Sequence, residues 1–312
     1  MKGKAHGINK NHFLFAVVLW LVPLLAEAAI LTVDCNAGEK IQQKIALAKP
    51  GDTVLVSGTC SENVSVPSEV VRITLDGQGK AVIQAPGTTA DAIFIRGKEI
   101  TVKGFSLTGG RDGIHLSGAA AGASAVIDGN TIQRTGRYGI HVDSGSVGRI
   151  VNNRIENIPN AGIDITENSY ARIGFLIPSR PDPGPNTIRN NGSHGIAVSR
   201  ASSAWIANNI ITDNKGSGVF VNRNSQADVV GNTINGNGAD GVTASQNSGV
   251  NLRSEGTPVR EGPNQTDPTA KNAGFGVKCS IGGYAEGPLG TLTGTQGAKE
   301  FDNSCIDRLS LP

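Results

Sequence analysis

The chain has 312 residues, enough for a substantial core, and its 28 basic and 26 acidic residues nearly cancel. That balance excludes a global pull toward nucleic acid or an anionic membrane, so an acidic ligand must be met by a local patch. With 42 glycines and few aromatic residues, the composition suits many short strands joined by tight turns.

In chain order, Lys2, Lys4 and Lys10 precede an apolar run from Phe13 to Ala26, which is broken by Pro23 and ends in Ala26-Glu27-Ala28. A basic lead, a short apolar run and a small-x-small end make a secretory signal peptide, residues 1–28, rather than a membrane span. Its loss leaves 25 residues of each charge in a secreted or periplasmic chain with no further apolar stretch long enough to span. In an oxidising compartment the four cysteines are expected in disulfides. Four allow three connectivities, and the sequence-local pairs Cys35 with Cys60 and Cys279 with Cys305 are favoured.

Residues 29–312 read as one domain. From 29 to 72 the pattern is a cap: helical spacing over Glu39 to Ala48, a stop at Pro50-Gly51-Asp52, then the strand Thr53 to Val56. From 73 to 282 a repeat takes over. The tetrad Gly-Ile/Val-x-apolar starts at Gly113, Gly139, Gly162, Gly195, Gly218 and Gly241, in steps of 26, 23, 33, 23 and 23. Asn-x-Ile starts at Asn130, Asn153, Asn186, Asn209 and Asn232, with the same 23-residue period and the same 10-residue interruption, Gly174 to Pro185. Counting from the Gly, apolar residues at +1 and +3 (Ile140 and Val142, Ile163 and Ile165) and at +11 (Ile150, Ile173, Ile206) alternate in the manner of strands. Three strands and three turns per repeat make one coil of a triangular solenoid. The fold class is therefore all-β, a single-stranded parallel β-helix with three strands per coil and a short N-terminal helical cap. Residues 283–312 form the C-terminal cap, with Cys305 tied back to a core Cys279. The offsets fit neither a leucine-rich repeat nor a hexapeptide helix.

Stacking turns each offset into a ladder. The Asn ladder and the serines at +7 (Ser146, Ser169, Ser202, Ser225, Ser248) read as structural hydrogen-bond stacks, since no histidine shares their offset to activate a serine. Position +2 points outward and carries His115, His141 and Asp164 on consecutive coils. Arg111 and Arg137 stand at −2, Asp112, Tyr138 and His194 at −1, and Asp143 at +4. Abstracting a proton beside a uronate carboxylate needs a base, a cation and a proton donor. His141 or His115 can be the base, Arg137 or Arg111 the cation and Tyr138 the donor. Asp143 and Asp164 are placed for an inverting hydrolysis. Catalytic candidates are thus His115, His141, Asp164, Arg137 and Tyr138; Arg111, Asp143 and His194 are candidates for substrate binding. Three readings stay open: a solvated face, glycan binding without turnover, and catalysis. A second outward row at +10 holds Arg149, Arg172 and Trp205, suited to sugar stacking and carboxylate pairing, or else to packing under the proline-rich insertion. No cofactor or metal is expected; rigid rungs converge poorly on one ion, and Met or Cys clusters for soft-metal transfer are lacking.

Over roughly residues 73–282 the repeat resembles the right-handed parallel β-helix, or pectin-lyase-like, superfamily, and its subgroup of short parallel β-helix repeats found in carbohydrate-binding and sugar-cleaving proteins. The 39–60 segment is similar to that family's opening helix and strand. The resemblance implies a polysaccharide partner, in solution or in the cell envelope, engaged on the strand that here is Gly-Ile-x-Val. The Asn-Thr-Asp, Gly-His-Gly and Arg-Ile-Lys sets of polygalacturonases and the Arg-x-Pro-x-x-Arg of pectate lyases are missing, so those two activities are not implied.

Overall fold

The computed structural model describes Gly3 and residues 28–118, 122–175, 184–253 and 262–310. The expected leader, residues 1–28, apart from Gly3 and Ala28, and most of the Gly174–Pro185 insertion lie outside the described residues. The chain winds as a parallel β-helix of three sheets. The first sheet has 12 strands, from Ile30–Asp34 to Ile306–Ser310. The second has eight, among them Thr131–Gln133 and Arg154–Glu156. The third has ten, with Ile114–Ser117, Ile140–Asp143 and Ile163–Ile165 as neighbours.

Every strand pairs in parallel with the equivalent strand one coil away. Ile140 faces Ile163 and Val142 faces Ile165 on the third sheet, and Ile150 faces Ile173 on the first. The inward residues of these strands are fully buried and merge into one continuous apolar core.

The repeated glycines mark a close approach. A Cβ on Gly139 would lie 2.5 Å from Ile155 Cγ2 and 2.6 Å from the Gly162 carbonyl, so the next coil closes down only over glycine. At the corner between the first and second sheets each ladder Asn bonds to the next: Asn186 donates through Nδ2 to Asn209 Oδ1, which also accepts from the Asn186 backbone N–H. The left-handed conformation falls one residue earlier, at Asn152 and Asn208 (φ 57° and 64°), which frees the ladder Asn for bonding. The serine ladder is built likewise, the Ser169 hydroxyl accepting from the Ser146 N–H and Ser202 from Ser169. A second amide ladder, Asn191, Asn214, Asn237 and Asn272, runs along another corner.

The N-terminal helix is shorter than its spacing suggests, Ile41–Ile45. It starts where the Glu62 carboxylate accepts from the Ile41 and Gln42 N–H groups, and it ends as Leu47 and Ala48 turn to bond carbonyls only three residues back. Ile41 and Ile45 plug the first coil. Disulfides join Cys35 to Cys60 and Cys279 to Cys305. Among the described residues no helix is long and apolar enough to cross a membrane.

Candidate functional site

The third sheet brings His115, His141 and Asp164 side by side in register, followed by Ala197 and Phe220. Although they project from the coil, they are only 5%, 5% and 8% exposed. The His115 and His141 rings stack with centroids 4.5 Å apart, Tyr138 tilts against His141, and Phe94 tilts against His115. The Arg137 guanidinium lies over the Tyr138 ring.

Two aspartates at −1 organise the charges one rung out of step. Asp91 accepts two bonds from Arg111 on the next coil, both at 3.0 Å, and lies 2.8 Å from His115 Nδ1. Asp112, fully buried, repeats this one coil later with Arg137 and with His141 Nδ1 at 3.3 Å. On the far side of the rings, Asp143 lies 3.0 Å from His115 Nε2 and 3.7 Å from His141 Nε2, and Asp164 lies 3.3 Å from His141 Nε2.

This arrangement settles the charges. Burial opposes a proton on His141, but Asp112 and Asp164 outweigh it and raise its pKa to about 9. His115 is raised as well, burial being overcome by Asp143 and Asp91. Burial likewise works to raise the acids, yet Arg137 and His141 hold Asp112, and His115 holds Asp143, far below the usual carboxylate range. At neutral pH His141 is therefore an imidazolium, while Arg111 and Arg137 are committed to Asp91 and Asp112. Asp112, His115 and His141 also stand close enough for a three-ligand metal site. The donor chemistry disfavours it: guanidinium nitrogens lie 3.2 Å and 2.9 Å from the two Nδ1 atoms, where they would repel a cation.

Beyond Asp164 the row drops to Ala197, opening a groove of about 280 Å³. Tyr138, Asp164, His194 and Phe220 line its walls, and Arg200 and Arg223 stand beside them. His194 stacks flat on Phe220 at 4.3 Å, and its Nδ1 accepts from the Ser217 N–H. Burial lowers its pKa, so it is a neutral ring with its proton on Nε2. Burial, then Asp164, push the Tyr138 phenol up, which keeps it protonated. Arg200 pairs with Glu167 at 3.4 Å, whereas Arg223 has no carboxylate within 4 Å among the described residues. On the +4 row Asp143 meets His115 and Ser117, whereas the buried Asn222 Oδ1 has no hydrogen-bond donor among the described residues. Such an orphan marks a place where a ligand or water donor is needed.

The residues read from the sequence thus divide. His115, His141, Asp164, Arg111, Arg137, Tyr138 and Asp143 form one cluster, and His194 stands across the groove. Arg149, Arg172 and Trp205 are in register with one another on the first sheet, away from this cluster. Trp205 meets the edge of Phe175 at 4.7 Å, over Ala207 and Val230. Sequence reading left Asp112 without a part and passed over Asp91, Arg200, Phe220, Asn222 and Arg223. Asp91 had a signal: Asp91-Ala92-Ile93 is Asp112-Gly113-Ile114 with Ala in place of the glycine.

A family described as "Right handed beta helix region" matches residues 91–256, just over half of the chain. The chain belongs to the right-handed beta helix family. Comparison with curated proteins finds no match. Among solved structures, this beta helix aligns with a double mutant of a periplasmic alginate epimerase at TM-score 0.54 and 14% identity, covering 91% of this chain and 73% of that one. It also aligns with the A-module of an Azotobacter vinelandii mannuronan C-5 epimerase (TM-score 0.46, 11% identity, 85% and 82% covered). A pectate lyase gives 0.46, 12%, 86% and 81%. At these identities the likeness is one of fold.

Proposed function

We propose that the protein is exported and binds a uronate-containing polysaccharide along the third sheet, with any lyase or epimerase chemistry centred on His141, Asp164 and Tyr138. The observation that carries this reading is the groove beside the buried ladder, where one orphaned acceptor, Asn222 Oδ1, a neutral His194 and a protonated Tyr138 face Asp164 and two arginines. A sugar hydroxyl satisfies Asn222 Oδ1; Arg223 and Arg200 pair with uronate carboxylates. The parts differ from those the sequence suggests. With both −2 arginines committed and His141 protonated, His141 is the cation beside the reacting carboxylate. Asp164 is the base, and Tyr138 returns a proton from its phenol. The fold is one that also carries an alginate epimerase.

Glycan binding without turnover is the second reading. It is favoured by the way Arg111, Arg137, His115 and His141 all find partners within the protein.

The test is incubation with a panel of polyuronates, following the absorbance of unsaturated products, reducing ends, and solvent deuterium entering the sugar C5 position. His141→Ala and Asp164→Asn should each abolish turnover, and unchanged turnover in either refutes the assigned parts. Saturable binding that Arg223→Ala weakens about tenfold, with no product, establishes the binding module. No polyuronate binding at all rejects both readings.

A further inference from the structure

We propose that cleavage between Ala28 and Ala29 is a maturation step of the fold: it frees an α-ammonium at Ala29 that docks on the buried Asp52 carboxylate and fixes the outermost strand of the first sheet. The inference rests on the export part of the proposed function. It goes further by giving the new terminus a place in the structure.

The sequence supplies the cleavage site, since Ala26-Glu27-Ala28 puts small residues one and three positions before the bond. The structure supplies the acceptor. Asp52 is 5% exposed, and its two carboxylate oxygens have different partners. Oδ2 accepts from the Lys49 N–H at 2.8 Å, while the Asp52 N–H donates to the Lys49 carbonyl, which closes the turn Lys49-Pro50-Gly51-Asp52. Oδ1 takes no part in that turn. It accepts from the backbone nitrogen of Ala29, 23 residues earlier, at 2.8 Å. These two donors, Lys49 and then Ala29, hold the carboxyl below its ordinary range against burial, so it is ionised at neutral pH. Among the described residues no side-chain cation comes within 4 Å of it, and the Lys49 charge acts only from farther away. A buried carboxylate is ordinarily paired. The nitrogen it already holds is the one that cleavage turns from an amide into a cation.

The step is a hydrolysis by an export-linked peptidase. Water adds across the peptide bond, leaving a carboxylate on Ala28 and an amine on Ala29, which is mostly an ammonium at neutral pH. The contact to Oδ1 then carries charge on both sides. Ala28 and Ala29 are themselves exposed, so the bond lies at the surface. What the pair secures is an edge. Ile30–Asp34 pairs only with Thr53–Ser57, and its other side is open. Its far end is tied through Cys35 to Cys60. Its near end is tied at Ala29, whose carbonyl accepts from the Thr53 N–H at 2.9 Å. The Asp52 carbonyl accepts in turn from the Thr74 N–H, so the terminus is coupled to the next coil as well.

The test has two parts. The full chain is expressed with its leader, and the intact mass of the exported protein gives its first residue, expected to be Ala29. Chains starting at Ala28, Ala29 and Ile30 are then released from a cleavable tag and unfolded in urea. The Ala28 chain keeps the N–H bond to Oδ1 without the charge, and the Ile30 chain loses both. Midpoints should fall in the order Ala29, Ala28, Ile30, and Asp52→Asn should erase the gap between the first two. By NMR the Ala29 α-amino group should titrate above the ordinary value of about 7.7–8.0, and Asp52→Asn should bring it back. A first residue other than Ala29, equal midpoints for the Ala28 and Ala29 chains, or an α-amino group that titrates at its ordinary value would each overturn the proposal. Uncleaved precursor retained inside the cell overturns export with it. Polyuronate binding stands or falls separately, on Arg223→Ala.

Discussion

Titrating His141 should move the stability of the whole solenoid. In an unfolded chain a histidine titrates near 6.5, and in the folded cluster His141 is held to about 9 by Asp112 and Asp164. At roughly 1.4 kcal/mol per pKa unit, this difference corresponds to about 3 kcal/mol. The folded state holds the proton more tightly, so the stabilisation is complete below pH 6.5, where both states are charged. It is lost as the pH climbs through about 9. His115, shifted the same way, adds to the loss. The carboxyls of Asp112 and Asp143 act oppositely: lowered by folding, they stabilise above the ordinary value of 3.8 and cease to do so as the pH falls below it. The cluster therefore contributes most between roughly pH 4 and 6.5. Urea denaturation at fixed ionic strength, repeated every half unit from pH 6 to 9.5, measures the alkaline limb. Wild-type protein should lose about 3 kcal/mol, and His141→Gln should show a much shallower slope. A flat wild-type profile, or the same slope in the variant, would refute the proton assignment.

Other consequences can be checked in the same assay. Asp112→Asn strips the charge that Arg137 and His141 share in a fully buried place, and it should cost about 3–5 kcal/mol while lowering the His141 pKa seen by NMR. Asn209→Ala deletes a side chain that donates to Asn232 Oδ1 and to the Ile173 and Ala207 carbonyls, and it orphans the Asn186 donors. A loss of about 2–4 kcal/mol is expected, against little for the exposed neighbour Lys215→Ala. Replacing Cys279 and Cys305 together by serine opens a link spanning 26 residues and should cost about 3 kcal/mol, with proteolysis beginning at the C-terminal coils.

Sequence carried the fold because backbone stacking is a strict periodic constraint. Gly139 and Gly162 are both needed where coils close down, and Asn186 and Asn209 both where a corner must be bridged, so the same residue types return every coil. It carried the site only in part, because the charges do not pair at equal offsets. Asp91 meets Arg111 and His115, 20 and 24 residues on, and Asp112 meets Arg137 and His141, 25 and 29 residues on. A search at the coil period sees like stacked on like: Asp on Asp, Arg on Arg, His on His. Each of those stacks is repulsive when charged, and His141 indeed works against the proton on His115. What makes the stack tenable is the half-step between rungs. An aspartate leaning along the axis reaches the arginine and histidine of the next coil, and Asp143 lies within 4 Å of both Nε2 atoms. The ladder can then be extended only while each coil supplies a new counter-charge. After Asp164 the third sheet supplies Ala197, the alternation stops, and the unmatched end of the ladder becomes the wall of the groove.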